Sequence, residues 1–103
     1  MSKIAALKKK AADLEKKAPD KAIPVYVELL AEMEKEPAEL DIALFNRVGD
    51  LMTRVGRAAQ AADYYEMAAD KYATRGLADN AIAVYNKILR SSPSRTPSLS
   101  RAL

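Results

Sequence analysis

The stretch FNRVGDLMTRVGRAAQAADYYEMAADKYATRGLADNAIAVYNKILRSSP, residues 45–93, repeats one arrangement of small, bulky and turn residues in two frames set twenty residues apart. The first frame reads Phe45-x2-Val48-Gly49-x2-Met52, then Gly56, then Ala61-x3-Tyr65, with Ala68 after it. The second reads Tyr65-x2-Ala68-Ala69-x2-Tyr72, then Gly76, then Ala81-x3-Tyr85, and closes on Pro93. Such spacing suits antiparallel helices stacked side by side, because small residues let backbones approach and large ones fill the seam between neighbours. Gly49, Ala61 and Ala69 are the expected close-approach positions, and Phe45, Tyr65 and Tyr85 the wedges. Gly56 and Gly76 fall where each helix must end, since glycine takes the left-handed C-terminal conformation without steric penalty. The segment around Tyr65 serves both frames, so it is expected to be the second helix of one pair and the first of the next.

These two frames resemble the W-x2-L-G-x2-Y…A-x3-F…P pattern of tetratricopeptide repeats. The chain departs from that pattern at Ala73, where the family usually carries proline, at Ala68 and Ala69, where it carries a Leu-Gly pair, and in having no tryptophan. Upstream, Ala22-x3-Tyr26 repeats the second-helix signature, and the helix before it fits if its turn is one residue short. Helices that each serve in two pairs also make the chain similar to the soluble NSF attachment proteins. The resemblance implies an all-α, tetratricopeptide-like solenoid of antiparallel helix hairpins.

Working outward, hydrophobic periodicity predicts five helices, over about residues 2–17, 20–35, 38–55, 58–74 and 78–90. The first presents Ile4, Leu7, Ala11 and Leu14 as a narrow apolar stripe among lysines. Asp20 is the expected N-cap of the second, with Pro24 in or near its first turn and Ile23, Tyr26, Val27, Leu30 and Met33 inward. Pro37 is expected to open the third, which buries Leu40, Leu44, Val48, Leu51 and Val55. The fourth should bury Ala61, Tyr65, Ala68, Ala69 and Tyr72, and the fifth Ala81, Ile82, Tyr85, Ile88 and Leu89. Residues 1–91 thus read as a single helical domain. Residues 92–103, rich in Ser, Pro and Arg, read as a flexible tail in which Ser94, Thr96 and Ser98 are phosphate-accepting types.

The 103 residues are 50% hydrophobic and 30% charged, with three glycines and five prolines, a balance that favours helix. No apolar run is long enough to span a bilayer and no signal-peptide h-region is visible, so a cytoplasmic protein is expected. Charge is unevenly distributed. Residues 1–21 carry seven lysines against three acids, whereas residues 22–40 carry five glutamates against one lysine. Adjacent antiparallel helices bearing these blocks attract across their exposed edges, each surface pair contributing only a fraction of a kcal/mol.

Histidine and cysteine are both absent, which removes the commonest general base, the best nucleophile and the usual transition-metal ligands. The glycines are single, so no phosphate-cradling loop is present. No catalytic residue, metal site or cofactor is expected, and the chain reads as a non-enzyme. Its expected partner is another protein or peptide.

In tetratricopeptide proteins the first helix of each pair lines a concave groove. By that resemblance the groove positions here are Ala43, Asn46, Arg47, Asp50 and Arg54, then Asp63, Glu66, Asp70 and Thr74. Chaperone-binding members hold a terminal carboxylate with Lys and Asn at such positions, and only Asn46 matches. The acids point instead to a neutral or basic segment. The apolar residues of the last helix, Ile82, Val84, Ile88 and Leu89, are expected to be covered by a partner, by further repeats of a longer array or, the favoured reading, by a second copy through a two-fold contact. The alternative function is nucleic-acid binding through Lys8, Lys9 and Lys10, supported by Lys3, Lys16 and Lys17, although interleaved aromatics are missing.

Overall fold

The computed structural model describes residues 2–91, and among these the secondary structure is helical, without strands. The elements are α1 (Lys3–Lys17), α2 (Pro19–Lys35), a 3-10 turn (Pro37–Glu39), α3 (Ile42–Arg54), α4 (Ala58–Thr74) and α5 (Ala78–Ser91). The expected tail over residues 92–103 lies outside the described residues. The backbone divides into two compact units, Met1–Asp41 and Ile42–Leu103.

In the first unit α1 packs on α2. Ser2 caps α1 by accepting the Ala5 N–H at 3.1 Å, and Lys16 and Lys17 complement the negative end of the helix. Ala18 separates the two helices. The start of α2 corrects the sequence expectation: Pro19 occupies the first turn, where its fixed φ and missing N–H are harmless, and Asp20 lies inside the helix rather than capping it. Pro24 consequently falls in the second turn, where the ring removes a helical hydrogen bond, and the helix continues past it.

Ile4, Leu7 and Ala11 are buried on α1, with Leu14 only half-buried. On α2 the buried arc takes in Ala22, Val25 and Leu29 besides the expected Ile23, Tyr26, Leu30 and Met33, while Val27 is half-buried. The Tyr26 hydroxyl donates to Glu15 at 2.6 Å. The opposed charge blocks do meet, with Lys3 lying 3.6 Å from Glu28 and 3.9 Å from Glu32. A hydrogen bond from Lys35, aided by the Lys3 charge, holds the Glu32 carboxyl below the usual range against a smaller opposing effect of burial.

Pro37 does not open the third helix. It starts a 3-10 turn, the chain is extended at Leu40 (φ −65°, ψ 124°), and α3 begins only at Ile42. The residue before it, Asp41, is of the capping type that competes with such a proline start. Leu40 and Val55, expected in the core, flank α3 and are half-buried.

In the second unit α4 packs against both α3 and α5. The two turns that connect these helices are the same structure twenty residues apart. Arg57 N–H bonds Met52 C=O at 2.8 Å and Gly56 N–H bonds Thr53 C=O at 3.1 Å; Leu77 to Tyr72 (2.9 Å) and Gly76 to Ala73 (3.0 Å) repeat the pattern. This is the Schellman arrangement, with Gly56 at φ 84° and Gly76 at φ 76° in the left-handed position. No atom lies within 4 Å of a Cβ built on Gly56, so the penalty for a side chain there is conformational alone. Gly56→Ala is expected to lower the unfolding free energy by about 1 kcal/mol, measured by urea denaturation.

The core of this unit contains Leu44, Phe45, Val48, Leu51 and Met52 from α3, and Ala61, Ala62, Tyr65, Ala68 and Ala69 from α4. Tyr72 is half-buried at its edge. On α5 the buried row is Ala81, Val84, Tyr85 and Ile88. Ile82, expected inside, is 51% exposed, and Leu89 is half-buried. Two apolar rows overlap on this helix, and the row containing Tyr85 is the buried one.

Candidate functional site

Gly49 sits where α3 meets the Tyr65 ring. A Cβ at that position would lie 2.6 Å from Tyr65 Cε1 and 2.7 Å from Cδ1, far inside van der Waals contact. The wedge and its receiving glycine are therefore in direct contact, and Tyr65 is only 3% exposed.

The ring ends in a polar cluster. Tyr65 Oη donates to Asp50 Oδ1 at 2.6 Å and lies 3.4 Å from the Thr53 hydroxyl, which itself donates to Gly49 C=O at 3.0 Å. From α5, Lys87 Nζ reaches Asn46 Oδ1 at 3.0 Å and the Asp50 carboxylate at 3.1 and 3.3 Å, and stands 5.5 Å over the Tyr65 ring. Burial first, then the bond to Asp50, pushes the Tyr65 phenol up to about 12. The next frame repeats the anchor, since Tyr85 Oη donates to Asp70 Oδ1 at 3.0 Å. Each tyrosine thus holds an aspartate fifteen residues before it, on the preceding helix. Lys71 adds a cation–π contact, 5.3 Å from the Phe45 ring centroid.

The raised Tyr65 value has a defined pH consequence. Between about pH 10 and about 12 the unfolded chain gives up a proton that the folded chain keeps, so stability falls across that window and the contribution is complete only below it. Unfolding free energies should fall more steeply there for the native chain than for Tyr65→Phe. Equal slopes would contradict the assignment.

Of the residues singled out in the sequence, Asn46 and Asp50 are thus tied to Lys87 and, for Asp50, to Tyr65. Arg47 and Arg54 are exposed on α3 and are not among the partners of that cluster. Asp63, Glu66 and Asp70 are brought together elsewhere, along an open depression of about 510 Å³ on α4, which Gln60, Tyr64 and Met67 also line. Met67 is 42% exposed and Tyr64 half-buried. Burial, and then the neighbouring Asp63 charge, raises the Tyr64 phenol above its ordinary value. Gln60, Tyr64 and Met67 went unread in the sequence, although their spacing of four and three residues places them on one helical face with Asp63 and Asp70.

Among the described residues no group of three or more metal-ligating side chains could hold an ion, and no helix is long and apolar enough to cross a membrane. In comparisons with protein-family models, curated proteins and solved structures, nothing matches this chain.

Proposed function

We propose that this chain is a non-enzymatic, tetratricopeptide-like scaffold that takes a neutral or basic segment of a partner protein on the outer face of α4. The observation that carries the reading is the open depression in which Asp63, Glu66 and Asp70 surround the exposed Met67. An apolar contact flanked by carboxylates suits a segment that pairs an aliphatic side chain with lysine or arginine, and disfavours an acidic one. The repeated tyrosine anchors support the scaffold part of the reading, because they fix α3, α4 and α5 as one platform. The basic helix α1 is a weaker base for a nucleic-acid reading. Consecutive Lys8, Lys9 and Lys10 fan over about 200° of the helix and cannot address one row of phosphates together.

A calorimetric comparison of neutral, lysine- or arginine-containing and acidic peptides tests the proposal. Basic peptides should bind best, and the double variant Asp63→Lys, Glu66→Lys should weaken them about tenfold while leaving the unfolding midpoint nearly unchanged. Preference for acidic peptides would overturn the reading.

A further inference from the structure

The α4 face has a candidate occupant within this same chain. Residues 92–103 contain Arg95 and Arg101 and no Asp or Glu, a charge opposite to that of Asp63, Glu66 and Asp70. Their attachment point is also suitable. A three-residue turn joins α4 to α5 and makes them antiparallel, and the bond between Tyr85 and Asp70 sets their register. Six residues beyond Tyr85, α5 ends at Ser91. That is about 9 Å of helix rise, which carries the chain back along α4 from the level of Asp70 to roughly the level of Tyr64. Arg95 follows four residues later, a reach of up to about 13 Å, while the three acids span about 10 Å of α4.

Resting on the reading of α4 as a binding face, we propose that the segment 92–103 occupies the α4 depression in the free protein, with Arg95 and Arg101 against its carboxylates, and that a basic partner segment must displace it. Attachment to α5 gives this segment a high effective concentration at the face, so even weak charge pairing suffices to compete with a free peptide. Apparent affinity for a partner is then reduced by the fraction of time the face is occupied. The device sets a threshold on partner binding.

The test uses the full chain and the double variant Arg95→Glu, Arg101→Glu. Far-ultraviolet circular dichroism and the urea midpoint of the variant check that the helical fold is kept. Backbone amide resonances of residues 60–70 are compared by NMR, and an arginine-containing peptide is titrated into each protein. The proposal expects resonances of Asp63, Glu66 and Asp70 to move in the variant, and its peptide affinity to rise about tenfold. Unchanged resonances overturn self-docking, and if the peptide still binds, the partner reading of the face survives alone. Moved resonances with no peptide binding to either protein support self-docking and remove the partner reading instead.

Discussion

Tyr65→Ala is expected to lower the unfolding free energy by about 3–5 kcal/mol, the range for truncating a large buried aromatic side chain. Tyr65 is 3% exposed and touches Gly49 directly, so its removal leaves a cavity between α3 and α4 at the point where the ring sits against the glycine. The polar cluster above the ring suffers too, as Asp50 loses its 2.6 Å donor and Lys87 the ring beneath it. Tyr65→Phe separates these effects. It keeps the packing and removes only the hydroxyl, and should reduce stability by about 1 kcal/mol. If the two variants were equally damaging in urea unfolding, the hydroxyl and not the wedge would be holding α3 to α4.

Gly49→Ala is the second large effect, and its sign is informative. In an ordinary helix interior this substitution is favourable by about 0.5–1 kcal/mol, because alanine restricts the unfolded chain and glycine does not. Here the new methyl meets an aromatic ring at 2.6 Å. The ring has little room to yield, since its hydroxyl is bonded to Asp50 and Lys87 lies over its face. Overpacking of this kind costs about 1–3 kcal/mol and outweighs the propensity gain. A net loss of about 1–2 kcal/mol is expected, read from the urea midpoint at constant slope.

What the sequence disclosed follows from what is local. The helix ends at Gly56 and Gly76 were readable because the left-handed position selects glycine, and the meeting of Gly49 with Tyr65 because a small and a large residue recur at fixed spacing. The limits of α4 were readable for the same reason. Ile82 was misplaced because two apolar rows on α5 overlap in sequence, and only packing against α4 decides that Val84 goes inside. Pro37 was misread because a proline that can open an α-helix can equally open a 3-10 turn. Lys87 left no local sign of its role, since its partners Asn46 and Asp50 lie 41 and 37 residues away. The candidate site divides along the same line: Asp63, Glu66 and Asp70 share one helix and share a face, whereas Asn46 and Asp50 are engaged by a different helix.

The Tyr65 ring is wedged onto the bare backbone of Gly49, and its hydroxyl bond to an aspartate of the preceding helix is repeated by Tyr85 and Asp70. A double-mutant cycle between Gly49→Ala and Tyr65→Leu, read by equilibrium unfolding, addresses the wedge directly. With the ring present the alanine should destabilise by about 1–2 kcal/mol; with leucine at position 65 the same alanine should be neutral or stabilise by up to about 1 kcal/mol. An alanine effect of the same sign and size in both backgrounds would show that the two positions do not meet, and the wedge account would fail.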